Sequence, residues 1–298
     1  MHPDFPEGSS PAFTVHAPAQ QRVPFVFNSP HSGRAYPLAF RAASRLTAAQ
    51  LRRSEDVAVD ILFSAAVGLG APLLTANFPR AWLDVNREPL ELDPKLIADP
   101  LPAHANSRSA RVGGGLGTVP RLVAERVEIY AGRMTLGEAM ARINGVYRPY
   151  HEQLARLIAR TVRTFGYSVL VDCHSMPSKG PGGDADGVMR DDIIIGDRYG
   201  TSCNSAITQE LVERFSDAGY RVARNKPYAG GFITEHYGRP SRGFHAVQIE
   251  VNRGLYLNEV ALEPNGNFET VRADIRRIMG HLVSIPDHGF APHAMAAE

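Results

Sequence analysis

Cysteine is almost absent from this chain: 298 residues contain two, Cys173 and Cys203. At most one bridge could form, which excludes a disulfide scaffold and makes a reducing, cytoplasmic setting the expectation. An excess of one charge is lacking too. Lys+Arg 32 against Asp+Glu 31 leave a formal net charge of +1, and no long basic run occurs. Neither a nucleic acid nor an acidic membrane surface is therefore expected as a partner. Long apolar runs are also missing, since no stretch approaches the roughly 20 residues a membrane helix needs. The N-terminal residues lack the basic-then-apolar pattern of a signal peptide.

What is present suits a globular protein with a sizeable core: hydrophobic residues make up 44% and charged residues 21%. Residues 1–22 and 286–298, rich in Pro, Ala and Ser, are expected to be loose ends, with one domain over 23–285. Five short runs between turn residues predict strands: Val23–Asn28, Pro72–Asn77, Ser168–Asp172, Ile193–Ile195 and Ala246–Val251. Thr47 with Gln50 has the form of a capping box opening a helical segment to about Val67. Thr135 with Glu138 repeats it, and apolar residues then recur at three- and four-residue steps to Thr161, with Pro149 expected to kink or split the helix. Asn204–Ala218 and Val271–Leu282 predict two more helices. Strands alternating with helices imply an α/β fold with a mainly parallel or mixed central sheet covered by helices. Two glycine-rich polar loops, Gly113–Gly117 and Lys179–Gly187, stand out. The first is no phosphate loop, because the Gly-Lys-Ser/Thr ending is absent.

Three acid-base residues lie just beyond, or at the end of, predicted strands: His31, His174 and Glu250. In open α/β sheets the ligand crevice lies outside the carboxyl ends of the strands. If these strands are parallel neighbours, two imidazoles and a carboxylate meet on one rim, a donor set suited to a zinc-like ion with a position open for water. Asp172, two residues before His174, points the same way along a strand and is either its orienting partner or an ordinary strand-end carboxylate. Cys173 should face the opposite side as a small buried residue. Arginines in Pro79–Glu88, in Thr234–Arg239 and at Arg253 suit a small anionic substrate, though any single one reads equally as a surface ion pair.

The segments SPHSGRAYP (29–37), RSEDVAVDILF (53–63), NFPRAWLDVNREPLELDP (77–94), GLGTVPR (115–121), LVDCHSMPS (170–178), IIIGDRYGTSC (193–203 region), GGFITEHYG (230–238) and HAVQIEVNR (245–253) together resemble the N-formylglutamate amidohydrolase family. They occur in family order over roughly residues 24–285. The resemblance implies a fold similar to the zinc carboxypeptidases and aspartoacylases. It also implies hydrolysis of N-formyl-L-glutamate, a small anionic N-acyl amino acid, to glutamate and formate, a late step of histidine breakdown. One divalent metal ion, zinc by analogy, would be held by His31, His174 and an acid from Ser54-Glu55-Asp56, with Asp56 preferred. Carboxypeptidase-like enzymes place that acid three residues after the first histidine, where this chain has Arg34. On the same resemblance Glu250 becomes the general base. Arg87, Arg121 and Arg253 become partners for the substrate carboxylates, with Asn86 and His236 supporting orientation or oxyanion stabilisation. Alternatives are a related metallohydrolase for another N-acyl amino acid, a non-catalytic anion-binding protein, and a cysteine hydrolase using Cys173.

Overall fold

In the computed structural model, which describes residues 11–179, 191–286 and 289–291, the apolar runs become strands of one seven-stranded sheet. The strands of the chain are β1 (Phe13–His16), β2 (Phe25–Ser29), β3 (Leu73–Ala76), β4 (Leu122–Ala124), β5 (Val127–Glu128), β6 (Ser168–Met176), β7 (Ile193–Gly196), β8 (Val222–Arg224), β9 (Phe244–Asn252), β10 (Leu257–Asn258) and β11 (Glu263–Pro264). The large sheet runs β1-β3-β2-β6-β9-β7-β8, while β4 with β5 and β10 with β11 form separate two-stranded pairs. β2 and β9 each lie parallel to β6, β9 is antiparallel to β7, and β7 is parallel to β8. The sheet is thus mixed, within the expected α/β class.

All five predicted strands form. Ser168–Asp172 runs on to Met176, so His174 sits within its strand rather than after it. Phe13–His16, in the stretch expected to be loose, forms a strand at the sheet's edge, and the three-residue β8 was not expected. Alternation along β6 and β9 separates two kinds of surface. Val169, Val171, Cys173, Val247, Ile249 and Val251 join the apolar core, whereas Asp172, His174, Gln248 and Glu250 occupy the opposite face. Nine registered pairs lock β6 to β9, placing Asp172 beside Gln248 and His174 beside Glu250.

The helix expected from Thr47 to about Val67 is a correction. Its capping box is real: the Thr47 side chain accepts from the Gln50 backbone, and Gln50 answers on the Thr47 N–H. The segment then breaks into turns at Ala48–Leu51, Arg52–Ser54, Val59–Leu62 and Ala65–Gly68. Glu55 is extended, Ala58 is left-handed with φ 60°, and the Asp56 N–H leaves the helical ladder for the His31 carbonyl. A tertiary hydrogen bond has displaced a local one. The second capping box, Thr135 with Glu138, starts Leu136–Arg142. One π turn (Ile143–Tyr147) precedes the helix Arg148–Phe165. Pro149 sits at its second position, where the ring crowds the preceding turn, so the ladder widens instead of breaking. Ser205–Asp217, capped by Asn204, and Phe268–Leu282 match the last two predicted helices.

By backbone contacts the chain groups into two compact units, one containing 30–56 and 75–154, the other 15–29, 57–74 and 155 onward. The first is built on aromatic packing around the buried Arg142. Its guanidinium donates to the Trp82 carbonyl at 3.0 Å and the Tyr130 hydroxyl at 2.7 Å and lies over the rings of Phe40, Trp82 and Tyr130. The second packs one face of the sheet against Ile207, Leu211, Phe215, Ile275, Ile278 and Leu282 of the two late helices. Most of the loop Lys179–Gly187 lies outside the described residues. Among those described, no helix is long and apolar enough to cross a membrane.

Candidate active site and metal centre

On the polar face of the sheet, Asp172 is fully buried and engaged at both oxygens. Its Oδ2 lies 2.8 Å from His174 Nε2, and its Oδ1 accepts the Asn28 amide at 2.7 Å from neighbouring β2. Of the two readings of Asp172, the orienting partner holds. Beside it on β9, Gln248 donates to Glu250 Oε1 at 2.8 Å and accepts the Gly231 N–H at 2.8 Å through its own Oε1. Glu250, 8% exposed, is therefore held next to His174 with one oxygen fixed.

His31 follows β2 by two residues, in the unit of Asp56 and Asp84. Its Nε2 meets Asp84 Oδ1 at 2.8 Å, and its Nδ1 lies 3.5 Å from Asp56 Oδ2. Asp84 Oδ1 also takes the Asn86 N–H at 2.8 Å, while Oδ2 pairs with Arg80 at 2.8 Å and Arg87 at 3.8 Å. Burial pushes the Asp84 carboxyl up, but His31, Arg87 and Arg80 outweigh it and hold it well below the usual carboxylate range. Asp84 thus faces His31 as an ionised acceptor.

His31 and Asp56 are buried side by side in the first unit, His174 is buried in the second, and each offers one ligand atom. The donor chemistry fits a cation. In both imidazoles Nε2 lies against a buried carboxylate, and in a neutral ring that contact would keep the proton on Nε2 and leave Nδ1 its lone pair for a cation. For His31, Nδ1 lies 3.5 Å from the Asp56 carboxylate, a pairing of donor atoms that a shared positive ion would make favourable.

The family model for N-formylglutamate amidohydrolase matches residues 23–257. The chain belongs to that family. Among its relatives, the N-formylglutamate deformylase of Pseudomonas aeruginosa is 30% identical over 268 residues, covering 88% of this chain and 94% of that one. The enzyme of the same name from Pseudomonas putida is 31% identical over 243 residues, covering 80% and 84%. The solved N-formylglutamate amidohydrolase from Ralstonia eutropha JMP134 shares 32% identity and a TM-score of 0.84, covering 91% of this chain and 98% of that one.

Within this member of the N-formylglutamate amidohydrolase family the two acids offered by Ser54-Glu55-Asp56 point to different partners. Glu55 receives the Tyr36 hydroxyl at 2.5 Å and Arg52 Nε at 3.1 Å, whereas Asp56 faces His31. Asn86 is buried, and its backbone binds the Asp84 carboxylate. Arg87 donates to the carbonyls of Leu116 and Asn86, at 2.9 and 2.8 Å. Arg253 is buried just beyond β9 and donates to Ser175 Oγ at 3.1 Å, on the strand that carries His174. Arg121 is committed to Asp93 at 2.7 Å and Glu128 at 3.3 Å. His236 lies on the surface of the short helix Phe232–Tyr237 with its ring stacked on Phe232, and partial desolvation of that ring together with the Arg239 charge pushes its pKa below the ordinary value. Cys173 sits in the core on the face away from His174, and burial pushes its thiol well up. That position removes the cysteine-hydrolase alternative. Sequence reasoning named no role for Asp84, Asn28 or Gln248; for the last two, only their strand registers could have signalled one.

Proposed function

We propose that the chain hydrolyses the formamide of N-formyl-L-glutamate to glutamate and formate, a late step of histidine breakdown, with residues 23–285 acting as one catalytic domain. His31, Asp56 and His174 hold one divalent ion, zinc by the nitrogen-rich donor set. The observation that carries this reading is the donor set itself: two buried histidines, each fixed at Nε2 by its own carboxylate, and the buried acid Asp56 beside the first of them. The ion supplies Lewis acidity and acidifies water.

Glu250 takes a proton from the attacking water and returns it to the departing amine. Gln248 holds its Oε1, which fixes the direction of the carboxylate beside His174. Arg87 and Arg253 bind the two substrate carboxylates, whose desolvation needs fixed positive partners in a chain of near-neutral charge. Asn86 and His236 support orientation of the scissile amide. Arg121 joins them by exchanging an ion pair with Asp93 or Glu128 for one with substrate. The names of the two Pseudomonas relatives and of the Ralstonia structure support the substrate.

Formate release from N-formyl-L-glutamate, followed with and without chelator and after zinc is restored, tests the proposal. Release that stops with chelator and returns with zinc is expected. Full activity in chelator would remove the metal. Turnover of other N-acyl amino acids in preference would move the function to a related metallohydrolase.

A further inference from the structure

The two segments that carry His31 and Asp56 are tied to each other twice. Near the ligands, the Asp56 N–H donates to the His31 carbonyl at 3.0 Å. Five residues past His31, the Tyr36 hydroxyl donates to Glu55 Oε1 at 2.5 Å, one residue before Asp56. Glu55 is 2% exposed, and Arg52 reaches it at 3.1 Å to Oε2 and 3.3 Å to Oε1. The Tyr36 ring is stacked on Phe40 at 6.3 Å with an interplanar angle of 11°, so the hydroxyl is delivered from a fixed platform. Between the two ties the chain has left helical geometry, with Glu55 extended. Nothing in the local ladder would then set the direction of the Asp56 side chain. The cross-ties do.

We propose that Tyr36 and Glu55 are positioning residues for the metal centre: their hydrogen bond clamps the Arg52–Asp56 turn to the His31 segment and so sets the His31–Asp56 spacing on which ion affinity depends. Neither side chain donates to the ion. The inference rests on the metal centre proposed above. Groups that orient ligands change metal affinity by about 10- to 100-fold when lost.

The test measures zinc affinity on the full chain by competition with a chromogenic chelator, beside the thermal unfolding midpoint of the zinc-free protein. Tyr36→Phe keeps the ring platform and removes only the hydroxyl. It should bind zinc roughly 10- to 100-fold more weakly. Glu55→Gln still accepts that hydroxyl through its amide oxygen, and Arg52, 36% exposed, can turn to water from the new NH2 group, so affinity should stay within about threefold of the parent, which a nonspecific loss of stability would not reproduce. If Tyr36→Phe does not fold, Tyr36→Phe/Glu55→Leu replaces it, because two apolar partners leave no buried acceptor unanswered. The same loss of affinity is expected there. Zinc affinity within threefold of the parent in the folded Tyr36→Phe or double variant overturns the clamp, as does an equal loss in Tyr36→Phe and Glu55→Gln. A parent that binds no zinc overturns the metal centre itself, and the clamp with it.

Discussion

Asp84→Asn replaces one oxygen by an NH2 group of the same size, in a place where every neighbour is a donor. Oδ1 lies 2.8 Å from both His31 Nε2 and the Asn86 N–H, and Oδ2 lies 2.8 Å from the Arg80 guanidinium. If the amide oxygen stays at the Oδ1 position, the NH2 group faces Arg80 and Arg87, and their shared counter-charge is gone. If the amide turns over, the NH2 group meets a backbone N–H that cannot move, and His31 must become an acceptor at Nε2. Its proton would then shift to Nδ1, the nitrogen that faces Asp56. Neither orientation keeps both functions. Losing one charge-assisted hydrogen bond costs about 1.5–3 kcal/mol, which converts to a fall in Tm of roughly 2–5 °C for a chain of this size. The change at His31 should weaken zinc binding about 10- to 100-fold. Thermal unfolding of the zinc-free protein and chelator competition measure the two effects separately. An Asp84→Asn variant with the parent's Tm and the parent's zinc affinity would refute the reasoning that Asp84 fixes the tautomer of His31.

Glu250→Gln should retain zinc while turnover falls on the order of a hundredfold, and Asp56→Ala should instead lose zinc on dialysis. Elemental analysis beside steady-state rates checks the pair, and the opposite pattern would exchange the two roles. Arg87→Ala and Arg253→Ala should each lower kcat/KM for N-formylglutamate by roughly ten- to a thousandfold. Parent enzyme that handles N-formylnorvaline equally well would show that the second carboxylate is not read. Thiol alkylation of the folded enzyme should leave formate release unchanged. Cys173 and Cys203 are both buried, and burial pushes the Cys203 thiol up to about 12, so almost no thiolate exists near neutral pH. Rapid inactivation at one equivalent of reagent would contradict this.

The features read directly from the residues are those whose cause is local. Both capping boxes form because each needs only a side chain and a backbone group three residues away. The runs around Phe25, Val169 and Val247 are strands because they are rich in β-branched or aromatic residues and bounded by turns, and period-two alternation already put Cys173 opposite His174. With family motifs along the chain, that sufficed to single out His31, Asp56, His174 and Glu250. The sequence left three other matters undetermined, each decided by tertiary contacts between residues far apart in the chain. His31 and Asp84 are 53 residues apart, and Asn28 and Asp172 are 144 apart, so no local spacing could reveal either hydrogen bond. The helix expected through Val67 gives way at Glu55 because the Asp56 N–H finds the His31 carbonyl, a partner absent from any helical window. The different surroundings of Glu55 and Asp56 are likewise decided at a distance. These two adjacent carboxylates diverge because the extended turn sends one to Tyr36 and Arg52 and the other to His31.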